Sequence, residues 1–97
     1  LKEAVMGRRD NELSDYVAER MAAASVGRKD ALYDLGLLYS TGQGVDQDFI
    51  AAHKWFNLAA ISGIRRAAVD RAELAQEMSN RQIVEAQRQA RIWLEAH

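Results

Sequence analysis

The sequence predicts an all-α fold, a short α/α superhelix of about five helices arranged as antiparallel hairpins. Three observations predict it. Of the 97 residues, 17 are alanine and none is proline; alanine loses no side-chain entropy in a helix, whereas proline breaks the backbone ladder. Apolar residues recur at steps of three and four in successive stretches, which is one face of a 3.6-residue period. Glycines at 27, 42, 44 and 63 separate those stretches and mark chain reversals. β-Branched residues do not cluster, so nothing argues for a sheet. The hydrophobic fraction of 48% overstates the core, because alanine supplies so much of it.

Taken in order, residues 1–9 read as the last turns of a helix ending near Gly7. Asp10 and Asn11 offer N-cap chemistry for a second helix running to about Val26. Leu13, Val17, Met21 and Ala24 form its apolar stripe, and Gly27 closes it. Lys29–Thr41 is the next helix. Ala31, Leu32, Leu35, Leu38 and Tyr39 make a wide apolar arc, and Gly36 interrupts it at a cost near 1 kcal/mol relative to alanine. A glycine there signals close approach of a neighbouring helix. Thr41-Gly42-Gln43-Gly44 is the turn, and either Asp46 or Asp48 caps the next helix; with Asp46 as cap, Val45 and Ile50 have staple spacing.

The helix from about Asp48 to Ser62 is apolar on two faces, Ala52, Trp55, Phe56 and Ala59 on one and Ala51, Leu58 and Ile61 on the other. It must therefore be packed on more than one side. A further helix covers 65–77, with Ala68, Ala72 and Ala75 on one side and Ala67, Leu74 and Met78 on another. Ser79 and Gln82 have capping-box spacing, and Met78 and Ile83 have staple spacing. Ile83, Ala86, Ala90, Trp93 and Leu94 form the stripe of the last helix.

A shift of 36 residues aligns Ala23-Ala24-x-x-Gly27 with Ala59-Ala60-x-x-Gly63, and Ala31 with Ala67. Such a period marks a helical-hairpin repeat, with degenerate outer units because terminal repeats face solvent. The expected organisation is a single domain over 1–97, with a degenerate half-repeat at 10–27, a full repeat at 29–63 and capping helices over 65–97. Ala31-x3-Leu35-Gly36-x2-Tyr39-x2-Gly42-x-Gly44-Val45-x2-Asp48-x3-Ala52-x2-Trp55-x3-Ala59-Ala60-x2-Gly63-x3-Ala67 resembles the Sel-one-like repeat, a relative of the tetratricopeptide repeat. The ending from Met78-Ser79 to Trp93-Leu94 is similar to the closing helix of short bacterial members. The resemblance implies hairpins stacked in a right-handed solenoid and an adaptor role in protein complexes.

Several functional classes are disfavoured. Thirteen basic and 14 acidic residues give a net charge of −1, without the basic excess of a nucleic-acid module. The absence of cysteine removes disulfides, thiol nucleophiles and thiolate metal sites. No apolar run is long enough to cross a bilayer. The expected compartment is the cytoplasm, with the periplasm as alternative. The chain opens on Leu1 rather than methionine, as expected of a segment of a longer protein, and no targeting signal is visible.

Gly42-Gln43-Gly44 lacks the strand and glycine pattern of a phosphate loop. His53 has no second ligand one turn on and reads as a helix-surface residue; no metal or cofactor is expected. Glu73 and Glu77 read as a solvated face, and the arginines at 65, 66, 71, 81, 88 and 91 as partly neutralised by nearby carboxylates. Trp55 and Trp93 fall on apolar stripes and read as structural, with Trp55 against Tyr39 or its neighbours. No nucleophile–base set can be assembled, so no enzyme is expected.

Tyr33 and Leu37 lie four apart on the first helix of the hairpin, off its buried arc. The first helix of each unit lines the concave face of a hairpin solenoid. One period on stand Val69 and Glu73, with Asp34, Arg66 and Asp70 at the rim. These seven residues have the apolar centre and polar margin of a peptide site. The expected function is non-enzymatic binding of a partner protein or peptide on that face, as an adaptor or regulatory scaffold. The alternative is a capping end of a longer solenoid or a self-associating helical domain.

Overall fold

The computed structural model describes residues 2–97, with side chains from Asn11 onward. Five helices succeed one another: α1 Lys2–Ser25, α2 Lys29–Thr41, α3 Phe49–Ile61, α4 Arg65–Ala75 and α5 Asn80–Ala96. The described residues contain no strand.

α1 runs unbroken through Gly7 and Asp10, where the sequence suggested an end and a new start. An interior glycine costs a helix about 1 kcal/mol, which does not by itself end it. Asn11 lies inside the helix, and the capping side chain expected of Asp10 lies outside the described residues. The buried stripe is also redrawn. Val17 and Ala24 are buried and Leu13 is half-buried, but Met21 is exposed and Arg20 takes its place on the stripe.

α2 matches its expected limits. Gly42, at φ +73°, closes it in the left-handed region and donates its N–H to the Leu38 carbonyl, the αL cap that glycine adopts without steric penalty. The turn is then drawn shut by the Asp48 N–H, which donates to the Tyr39 carbonyl at 2.9 Å. Of the two candidate caps for α3 it is Asp48 that acts, its Oδ1 accepting from the Ala51 N–H at 3.0 Å. The Val45–Ile50 staple, which required Asp46 as cap, therefore does not apply. Gly44, also at φ +73°, lets α1 approach: a Cβ there would fall 2.8 Å from the Leu13 carbonyl oxygen.

α3 is the centre of the molecule, contacting α2, α4 and α5, while α1 packs on α2. Six of its residues are buried: Ala52, His53, Trp55, Phe56, Leu58 and Ala59. Ile61, expected on its second face, is exposed because the helix ends there. Gly36 lies under the Phe56 ring, and a methyl group at that position would overlap it. The close helix approach inferred from this glycine is thus the α2–α3 contact.

α4 buries only Ala67 completely and leaves Ala72 exposed. The chain then turns at Gln76–Met78, and Ser79 opens α5 with both halves of the capping box: Ser79 Oγ accepts from the Gln82 N–H and Gln82 Oε1 accepts from the Ser79 N–H. α5 docks on α3 rather than along α4. Ala86 and Ala90 are buried in that contact and Trp93 is half-buried, whereas Leu94 is exposed. Small residues at the interface let the two axes come close, and Trp93 supplies the bulk. No described helix is long and apolar enough to cross a membrane.

Candidate functional site

α2 and α4 both belong to the α-helical stack around α3, which α2 contacts on one side and α4 on another, and these two helices carry the residues singled out in the sequence. Tyr33 is half-buried rather than free. Its hydroxyl donates to Asp70 Oδ2 at 2.6 Å, and its ring packs on Phe56 with centroids 5.7 Å apart. The Asp70 carboxylate holds the phenol above its ordinary pKa, with burial adding to the effect, because ionising the phenol would place two anions together. Asp70 also pairs with Arg66 one turn earlier at 3.3 Å. Tyr33, Asp70 and Arg66 therefore form one connected wall.

Asp34 is engaged on the other side of α2. Arg20 of α1 reaches it at 3.0 Å and touches Asp30 at 3.4 Å. The same guanidinium bonds Glu19 through two nitrogens, each at 2.6 Å, and lies 5.8 Å from the Tyr16 ring. Hydrogen bonds to Glu19 and then Asp34 raise its pKa further, so it is a permanent cation. Sequence reasoning missed Arg20, although its place between Val17 and Ala24 signals a charge that must find partners.

Leu37 and Val69 remain as the apolar groups presented to solvent, 40% and 47% exposed. Glu73 is exposed as well. The structure thus splits the seven residues into two kinds. Tyr33, Asp34 and Asp70 are tied into ion pairs and hydrogen bonds that join helices, Arg66 pairs with Asp70 within α4, and Leu37, Val69 and Glu73 are open.

Other residues fall elsewhere than the sequence suggested. His53 is buried at 3% exposure, not on a surface, and its Nδ1 has no hydrogen-bond partner. Burial and then the charge of Arg71 lower its pKa, so the ring is neutral near pH 7. The signal available was its position between Ala52 and Phe56 on a helix apolar over most of its circumference. Trp55 is buried as expected, but its aromatic partner is Trp93 of α5. Lys54 stands over the pair, its Nζ 4.3 Å from the Trp55 ring centroid and 5.6 Å from that of Trp93. Arg88 is held by Glu85 at 2.6 Å, and Arg71 bonds the Asn57 side-chain oxygen.

Open clefts exist, one of about 580 Å³ lined by Tyr39, the Val45–Ile50 segment and Gln82, another of about 420 Å³ beside Lys54, Trp93 and His97. Neither includes a residue of the α2–α4 face. Among the described residues no three metal-ligating side chains converge.

Comparison with known proteins places this geometry. Residues 29–64, spanning α2 and α3 with both closing turns, match the Sel1 repeat family. No curated protein matches the chain. Sel1 repeats generally mediate protein–protein interaction and are typically non-catalytic. The all-helical chain therefore carries at its centre, in α2 and α3, a segment similar to the Sel1 repeat.

Proposed function

We propose that this chain is a non-enzymatic binding module that holds a segment of a partner protein against the α2–α4 face, as an adaptor or regulatory scaffold. The observation that carries the reading is the pair Leu37 and Val69, exposed aliphatic side chains on α2 and α4, two helices linked by the Tyr33–Asp70 hydrogen bond. Two apolar anchors beside a braced polar wall suit a peptide whose side chains alternate between the two. A face joined by hydrogen bonds needs no reorganisation to bind, which lowers the entropic cost of association.

The test is capture of a partner from extract by the parent and by a Leu37→Ser/Val69→Ser double variant. Both positions are exposed, so their substitution should change stability by less than about 0.5 kcal/mol each, and equal melting temperatures establish that the fold is kept. Loss of a captured protein supports the reading; unchanged capture removes it. Tyr33 is unsuitable for this purpose, because its ring and hydroxyl also hold α2 against α3 and α4.

A second reading has its own observation. α4 buries one residue fully and leaves Val69 and Ala72 exposed, as a helix does when a further unit covers it. In this reading the chain caps a longer solenoid or self-associates. Sedimentation equilibrium of the chain over a hundredfold concentration range separates the two: a monomer throughout rules out self-association.

A further inference from the structure

We infer that the cleft between α3 and α5 is a separate binding site, one that takes a carboxylate carried on an apolar body, with the Lys54 ammonium as its counter-ion. The site shares no residue with the α2–α4 face and does not depend on it.

Lys54 is half-buried. Its Nζ rests over the Trp55 ring at 4.3 Å and near that of Trp93 at 5.6 Å. An aromatic face attracts an ammonium but does not neutralise it. No carboxylate stands within ion-pair distance of Lys54 among the described residues. Burial lowers its pKa, and Asp48 offsets that only in part; the Asp48 carboxylate is itself committed to the Ala51 N–H as the cap of α3. The charged form therefore lacks both full hydration and a counter-ion, and an anion admitted to the cleft stabilises it.

The other wall of the cleft comes from α5 and sets the kind of anion. Gln89, Ile92, Trp93 and Ala96 fall at steps of three and four on one side of that helix. With Lys54 and Arg88 they line about 420 Å³, within the range of small-ligand sites. The His97 ring stacks on Trp93 with centroids 3.6 Å apart and extends the flat wall. Arg88 gives Nε and Nη2 to Glu85 at 2.8 and 2.6 Å, so this pair adds no net charge. Arg91 and Glu95 are both exposed and opposite in sign, and Arg81 lies two turns before Arg88. The cleft thus presents one uncompensated positive charge beside an apolar wall. A monovalent carboxylate matches that charge. A phosphate dianion exceeds it and is repelled by Glu85.

Trp55 and Trp93 are the two tryptophans of the chain, and Lys54 lies over both, so indole fluorescence reports an occupant. N-acetyl-leucine titrated into the folded chain should shift the emission with a Kd near the millimolar range, as suits a ligand of about twelve non-hydrogen atoms. N-acetyl-leucinamide, which lacks the charge, should leave it unchanged. A tetrapeptide ending in leucine with a free carboxylate forms the second arm. Tighter binding by the peptide assigns the site to chain ends, and equal or weaker binding assigns it to free carboxylic acids; the site stands in either case. At matched melting temperatures, Lys54→Met should weaken binding about tenfold or more, Lys54→Arg should retain most of it, and Glu85→Gln, which releases Arg88, should strengthen it. The inference is overturned by equal responses to acid and amide, by inorganic phosphate binding as well as N-acetyl-leucine, by no response to either acid, by binding indifferent to Lys54→Met, or by weakening in Glu85→Gln. These variants leave Leu37 and Val69 in place, so such a failure does not touch the α2–α4 reading.

Discussion

Trp55 and Trp93 meet edge to face, with ring centroids 4.8 Å apart and planes inclined at 76°. Through this contact α5, the last helix, is keyed to α3, the helix on which α2 and α4 also rest. The indole edge of one ring carries partial positive charge and the face of the other partial negative charge, so the pair adds about 0.5–1.5 kcal/mol to the area it buries.

Trp55→Ala should therefore cost about 3–5 kcal/mol, a large share of the stability of a domain this size. Trp93→Ala should cost less, because Trp93 is only half-buried. A double-mutant cycle by urea denaturation should return a positive coupling between them. Melting of Trp55→Ala within a degree or two of the parent would contradict its place in the core.

Gly36→Ala sets two effects against each other. Alanine raises helix propensity by about 1 kcal/mol, but its methyl group overlaps the buried Phe56 ring. Overpacking of a dense core costs about 1–3 kcal/mol, so the variant should be destabilised on balance. Pairing it with Phe56→Leu should restore part of the loss, since the smaller side chain yields the space. A more stable Gly36→Ala protein would show that α2 and α3 can separate without penalty.

Tyr33→Phe removes the hydroxyl that donates to Asp70 and keeps the ring on Phe56. A hydrogen bond to a charged acceptor contributes about 1.5–3 kcal/mol when buried; here Asp70 keeps Arg66, so a loss of about 1 kcal/mol is expected. Urea titration with an unchanged m-value would place the loss in the folded state.

His53 makes stability depend on pH in a defined direction. Its folded pKa lies below the ordinary 6.5, from burial first and Arg71 second. The unfolded chain then takes up a proton more readily than the folded one, so stability is fully present above about 6.5 and declines as pH falls from there through the folded value. A His53→Met variant should lose less melting temperature between pH 7 and pH 5 than the parent does. Equal losses would assign the acid sensitivity to carboxylates instead.

The helical class, the reversal at Gly42, the Ser79 cap and the burial of Trp55 follow from local chemistry. A capping hydroxyl, a left-handed glycine and a 3.6-residue stripe act within a few residues, and the sequence displays them directly. The limits of α2 and the approach at Gly36 were legible for the same reason, and so was the exposure of Leu37 and Val69, which fall outside the stripes. The cover over each side chain depends on partners distant in the chain, and only the tertiary structure decided it. Tyr33 looked like a free anchor until Asp70, 37 residues away, proved to accept its hydroxyl. His53 looked like a surface residue because it is polar, yet α3 is enclosed by α2, α4 and α5, which leave it only 3% exposed. Trp55 could have met any of several aromatic rings; the return of α5 across α3 rather than along α4 made the partner Trp93.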